Sequence, residues 1–194
     1  MAPRACLFIV AVAVSGALAH AVDSDMRQIR DVDGIARDLF QPAGNAGVLL
    51  FVASDCPVSN GYAPEIQRMC EAGRNRGVAC TLVYEDMSID AAAVRAHRDQ
   101  YRYKDMPAVI DRDRTIAERA KARVTPEAVV VGAGGVVKYR GRIDNQYIAL
   151  GKSRQVVTIH DLRDAIDAVA SGRAVAHTDT QAFGCFIPPR GYQP

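Results

Sequence analysis

Neither sign of charge dominates this sequence: 24 basic residues face 22 acidic ones, a formal net charge of +2 over 194 residues. A nucleic-acid footprint needs a basic excess that is missing here. Fifteen glycines and nine prolines are too few for a fibrous or disordered chain. Five cysteines are too few for a disulfide scaffold, yet enough for thiol chemistry. There is no series of apolar runs near the roughly 20 residues of a membrane span, which excludes a multi-span membrane protein. What remains is one domain, 49% hydrophobic and 24% charged, long enough to bury a core.

The amino terminus reads as an address. Residues 1–19 are MAPRACLFIVAVAVSGALA, with Arg4, an apolar run from Leu7 to Val14, and Ala17-Leu18-Ala19 at the end. A basic start, a short apolar stretch and an A-x-A close describe a secretory signal peptide. Cleavage is expected after Ala19, with Ala21 as the alternative. Three regions follow: the signal at 1–19, a domain at 20–172 and a tail at 173–194. Export to the periplasm or the extracellular space leaves no membrane attachment after signal removal. It also places Cys56, Cys70, Cys80 and Cys185 in an oxidising compartment. Four cysteines allow three pairings, and the sequence alone does not choose between them.

Along the domain, Ile29 to Phe40 contains an Asp-Gly turn and predicts a small hairpin or an extended lead-in. Gly47 to Ala53 is a continuous apolar run bounded by Gly and Ser-Asp, the mark of a strand buried on both faces. A helix from Ala63 to Ala72, a strand from Val78 to Tyr84 and a helix capped by Asp90 and running through Tyr101 come next. Pro107–Ile110 predicts a short strand and Arg114–Ala122 a short helix. Glu127–Val131 and Val136–Arg140 flank Gly132-Ala-Gly-Gly135 as a β-hairpin. Residues 141–159 read as a long polar connection. His160–Ala170 is a helix stopped by Ser171-Gly172, and a tail follows from Arg173. This order predicts an α/β sandwich on a mixed sheet.

Chemistry gathers at Ser54-Asp55-Cys56-Pro57-Val58-Ser59-Asn60, directly after the buried strand. A cysteine there sits at a strand-to-helix turn, where unpaired N–H groups favour a thiolate. Thiols so placed reach pKa values of roughly 3.5–7.5, against about 8.5 when free. The alternative is a packed or disulfide-bonded cysteine. Two further elements bear on that choice: Ala63-Pro64 inside the next helix, and Val124-Thr125-Pro126 before the hairpin.

Together CPVS, Ala63-Pro64 and Val124-Thr125-Pro126 resemble the thioredoxin superfamily in its redoxin form. DCPVSNGYAPEIQRM, VTPEAVVV, YRGRIDNQY, GKSR and GCFIP resemble, more narrowly, exported bacterial redoxin-domain proteins. These are grouped with the alkyl hydroperoxide reductase and thiol-specific antioxidant proteins. The resemblance covers most of residues 29–188. It implies a three-layer α/β/α sandwich with a central mixed sheet and Cys56 as the attacking thiol. It also implies a cis Thr125-Pro126 bond, with the Thr125 backbone free to pair with an extended substrate. Substrates would be protein or small-molecule thiols and disulfides, with an electron donor the sequence does not name. No cofactor, metal or nucleic-acid partner is implied.

Departures from the pattern matter. Ser59 stands where a C-x-x-C pair has its second cysteine; its hydroxyl can support a thiolate but cannot close a disulfide. The chain has no tryptophan, and Asp55 precedes Cys56, where its charge works against the thiolate. Leu49 and Ala53 occupy the Pro and Ser/Thr places of a P-x-x-x-[ST]-x-x-C peroxidase element.

Cys185, in Gly-Cys-Phe-Ile-Pro on the tail, is the candidate resolving thiol. Its alternatives are a static staple to Cys56 or a thiol that pairs between chains. Cys70 and Cys80, ten residues apart, are candidates for a local structural disulfide, with two buried thiols as the alternative. The four histidines show no metal-ligand spacing, and Gly151-Lys152-Ser153 lacks the glycines of a phosphate loop. Arg142 would aid the thiolate if it lay near Cys56; a surface ion pair is its plainer reading. Three functions are carried forward: a thiol–disulfide oxidoreductase, a thiol peroxidase, and a redox-silent binding module of the same fold.

Overall fold

A computed structural model describes residues 29–103 and 105–192; the signal segment at 1–19, with Cys6, and His20 lie outside them. Strands β1 (Ile29–Arg30) and β2 (Ala36–Arg37) pair as the small hairpin around Asp33-Gly34. The core is built on β3 (Ala46–Val52), in which every residue is buried. Its side chains alternate between two apolar clusters: Val48, Leu50 and Val52 face one, Leu49 and Phe51 the other. That is how a continuous apolar run becomes a central strand.

The five-stranded sheet adds β4 (Val78–Tyr84) and β5 (Ala108–Ile110), both parallel to β3's direction. On the other side lie β7 (Glu127–Gly132) and β8 (Val137–Gly141), in the order β5-β4-β3-β7-β8. β7 runs antiparallel to both β3 and β8, so the sheet is mixed. The first helical segment is broken in two: α1 (Pro57–Gly61) and α2 (Ala63–Arg74) meet at Tyr62. The sequence predicted a helix only from Ala63. Pro64 explains the break, because it has no N–H to give the carbonyl four residues back.

α3 (Ala91–Gln100) starts on Asp90, whose Oδ1 accepts the Ala93 N–H at 2.8 Å. α2, α3 and α5 (Asp161–Ala170) cover the Val48 face of the sheet. α4 (Thr115–Ala120) covers the Leu49 face, with Leu39 and Phe40. The layers are α/β/α.

Two regions are more ordered than the sequence suggested. The polar connection 141–159 contains a hairpin of β9 (Tyr147–Ala149) and β10 (Lys152–Ser153). Asn145 anchors that connection: its Oδ1 accepts the Thr158 N–H at 3.0 Å and its Nδ2 donates to Thr158 Oγ1 at 2.8 Å. The tail does not hang free. It runs along β8, where Arg140 N donates to Thr178 O and Thr180 N donates to Arg140 O. It then forms β11 (Cys185–Phe186), paired antiparallel with β6 (Val124–Thr125).

Candidate active site

Where β3 ends, the chain turns sharply, and the Cys56 N–H bonds the Ala53 carbonyl at 3.2 Å. Cys56 is extended (φ −83°, ψ 111°) and caps α1, with Pro57 in the first helical position. A proline there loses no hydrogen bond, since that N–H has no helical acceptor anyway. The Cys56 side chain is completely buried, at 0% exposure. Ser59, on the next turn, is also buried, and its hydroxyl has no hydrogen-bond partner. Asp55 points to solvent, where water screens its charge.

The second wall comes from β6. The Thr125-Pro126 peptide is cis, and the Thr125 carbonyl oxygen lies 3.1 Å from Cys56 Sγ. Thr125 is buried, and its Oγ1, like that of Ser59, has no partner. Glu127, 1% exposed, holds this segment from beneath. Its Oε2 accepts the Arg123 N–H at 2.6 Å and the Val124 N–H at 3.3 Å. The sequence pointed to Thr125 and Pro126 here but not to Glu127, whose place inside an apolar strand was the available signal.

The third wall is the tail. Cys185 stands opposite Thr125 in the β11–β6 ladder and is bonded to Cys56, with the two Cα atoms 6.1 Å apart across 129 residues of chain. Ile187 is buried in the Leu49-side cluster and donates its N–H to the Arg123 carbonyl at 2.9 Å. Cys56, Cys185, Thr125, Pro126 and Ser59 therefore meet at the carboxyl end of β3. Cys70 and Cys80 do not join them. They form a separate disulfide, Cα atoms 5.9 Å apart, between α2 and the start of β4.

A hydrogen-bonded clamp that the sequence did not reveal fixes the Cys56 loop. Asn60 Nδ2 donates to the Ser54 carbonyl at 2.9 Å, which turns its Oδ1 toward His97 Nε2, also at 2.9 Å. With Nε2 donating, Nδ1 is the acceptor for the Tyr84 hydroxyl at 2.8 Å. Ser54 is held from the other side by Asp86, which accepts both its N–H and its hydroxyl. Burial lowers the His97 pKa below its ordinary value, so the ring is kept neutral. Reading His97 only for metal-ligand spacing misses this role.

Next to the clamp, three ionisable groups are buried beyond the ends of β4 and β5. Arg114 lies 3.1 Å from Glu85, and Asp111 caps α4 by accepting the Ile116 and Ala117 N–H groups. Burial, and then the neighbouring Asp111, push the Glu85 carboxyl up to about 9 against the pull of Arg114. Arg142 is committed elsewhere: its Nε donates to Asp161 at 2.7 Å, the ion pair of its plainer reading. Tyr62 donates to Asp144 at 2.6 Å and ties α1 and α2 to the connection after β8.

Among the described residues, no group of three or more His, Cys, Asp or Glu side chains is gathered to hold a metal ion. No described helix is long and apolar enough to cross a membrane.

Several solved structures share this architecture. A hypothetical protein from Sinorhizobium meliloti 1021 superposes with a TM-score of 0.72 at 23% identity, over 85% of this chain and 91% of that one. An uncharacterized conserved protein from Geobacillus kaustophilus gives 0.73 at 21% identity, over 86% and 89%. A secreted Mycobacterium tuberculosis disulfide oxidoreductase, homologous to DsbE of E. coli, gives 0.51 at 19% identity, over 77% and 98%. At these identities the likeness is one of fold, and the fold is thioredoxin-like. No curated protein matches the sequence. The AhpC/TSA family model matches residues 20–140, across α1, the Cys56 loop, β6 and β7, and the chain belongs to that family.

Proposed function

We propose that this chain is an exported thiol–disulfide oxidoreductase in which Cys56 attacks and Cys185 resolves. The observation that carries the reading is the Cys56–Cys185 disulfide, closed beside the cis Thr125-Pro126 segment. From the reduced form, the Cys56 thiolate attacks one sulfur of a partner disulfide and the partner's other sulfur leaves as a thiolate. Cys185, losing its proton, then attacks the Cys56 sulfur and expels the second partner sulfur. Two electrons pass to the partner, and the Cys56–Cys185 disulfide is formed. Run backwards, the same steps oxidise a dithiol.

Local chemistry supports the first step. The Val58 and Ser59 N–H groups open α1 with no helical acceptor, and the buried hydroxyls of Ser59 and Thr125 have no hydrogen-bond partners of their own. The Thr125 carbonyl, 3.1 Å away, opposes a charged sulfur and favours the thiol or the disulfide. Export is supported by the signal-like residues 1–19 and by the likeness to a secreted disulfide oxidoreductase. The family description favours a second reading, peroxide reduction through a Cys56 sulfenic acid. Against it, Leu49 and Ala53 are buried apolar residues where the peroxidase element needs Pro and Ser/Thr.

Reduced protein mixed with a small aromatic disulfide tests the reading. Cys56→Ser is expected to exchange no faster than solvent thiols do. Exchange that survives Cys56→Ser overturns the proposal. Hydrogen peroxide consumed at a comparable rate moves the peroxidase reading ahead.

A further inference from the structure

The edge of β6 beside Cys56 is covered by this chain's own tail. Antiparallel pairing sets Cys185 opposite Thr125 and Phe186 opposite Val124, and the Ile187 N–H closes on the Arg123 carbonyl. An extended segment laid on a sheet edge, with a cysteine bonded to Cys56, is what a partner polypeptide would present during exchange. Each position of the tail also states a demand. A Cβ at Gly184 would stand 2.6 Å from the Thr125 carbonyl carbon and 3.1 Å from the Pro126 nitrogen, so no other residue fits without moving backbone. Phe186 is 71% exposed and meets no demand. Ile187 is 6% exposed and belongs to the Leu49-side cluster, which also holds Phe51, Ile116 and Ala117. Cys185 packs against the Val48-side cluster and Ile187 lies in the Leu49-side cluster, so the tail is seated on both sides of the exposed Phe186.

We infer that Gly184–Ile187 is a tethered copy of the strand this site takes from other chains. The partners are extended peptides with glycine directly before the reacting cysteine and an aliphatic residue two places after it. The inference rests on the proposed oxidoreductase reading and adds a substrate class to it. A two-residue ladder is a weak hold by itself. Once the Cys56–Cys185 bond is reduced, the tail yields the edge to a partner strand, and it returns when Cys185 resolves the mixed disulfide.

The test uses the reduced full-length Cys185→Ser protein and a synthetic peptide of residues 181–188. The peptide cysteine carries nitrothiobenzoate as a mixed disulfide. Attack by the Cys56 thiolate forms the Cys56–peptide disulfide and expels nitrothiobenzoate as a coloured thiolate, so each event is counted. Replacing the peptide's Gly184 by alanine, or its Ile187 by aspartate, is expected to slow the reaction about tenfold or more, while serine for Phe186 leaves it within about twofold. In the protein, adding Gly184→Ala to Cys185→Ser unseats the tail and is expected to speed attack on the parent peptide. Equal rates for all four peptides, with a small aromatic disulfide still consumed, overturn the inference and leave the oxidoreductase reading standing. Failure of the protein to attack either the peptides or the small disulfide overturns both.

Discussion

The two ends of the central sheet each carry a disulfide, and they are built differently. At the amino end of β4, Cys70–Cys80 joins residues ten apart across a single helix-to-strand turn, among apolar neighbours. At the carboxyl end of β3, Cys56–Cys185 closes 129 residues of chain. Toward that end of the sheet lie most of the buried polar side chains among the described residues: Ser59, Thr125, Glu127, Glu85, Asp111, Arg114 and His97. Buried polar groups are costly, and a fold concentrates them only where something beyond packing is required. On the proposed function, the apolar end is a staple and the polar end is the site.

The largest effect expected from that contrast comes from Cys185→Ser. Turnover with a peptide disulfide should stop, and the protein should accumulate as a stable mixed disulfide through Cys56, visible by intact mass. Cys70→Ala with Cys80→Ala should do the opposite. Losing a short-loop cross-link costs about 2–3 kcal/mol and lowers the melting midpoint by roughly 5–10 °C, while the exchange rate stays within about twofold. An exchange rate that collapses with the staple would break the division between the two ends.

Smaller changes sharpen it. His97→Phe leaves the Tyr84 hydroxyl and Asn60 Oδ1 without their partner, at a cost of about 1–2 kcal/mol in denaturant titration. It should also slow Cys56, whose loop is then held at one side only. The His97 pKa is lowered in the fold, so the unfolded chain takes up its proton first as the pH drops. Its contribution to stability is full above about 6.5 and is lost as the pH falls through the folded value. His97→Phe should flatten that acid-side slope.

A pH-dependent effect belongs to Glu85→Gln. With its carboxyl raised from 4.5 to about 9, Glu85 favours folding fully below pH 4.5, and that benefit drains away as the pH rises toward 9. Glutamine keeps the neutral form, so the variant should be more stable than the natural chain at pH 8 and no more stable at pH 4, as denaturant titration at the two pH values would show. A loss of stability at pH 8 would show that the Arg114 pairing outweighs burial.

Much of the site was legible in the sequence because its signals are local. The apolar run into Cys56, the Ala63-Pro64 break and Thr125-Pro126 before a Val-rich strand can each be read within a few residues. The clamp and the tail seat cannot. His97 gains its role from Asn60, 37 positions away, and helical periodicity carries no trace of that pairing. β11 is two residues long, too short for any alternation to register, and its partner β6 lies some 60 positions earlier. Gly184 reads as a loop glycine, although its reason is a steric one at the Thr125 carbonyl. Glu85 ends a strand, where acids usually meet water; burial beside Asp111 and Arg114 is a tertiary fact.

The most direct test of the division between staple and site is a stepwise reduction of the purified protein. Both disulfides would be followed by mass spectrometry after rapid thiol trapping. Cys56–Cys185 is expected to open first, at low concentrations of reductant, with Cys70–Cys80 intact until the protein unfolds. If Cys70–Cys80 opens first, or Cys56–Cys185 survives until unfolding, the long-range disulfide is itself a staple, and the thiol chemistry assigned to Cys56 has no basis.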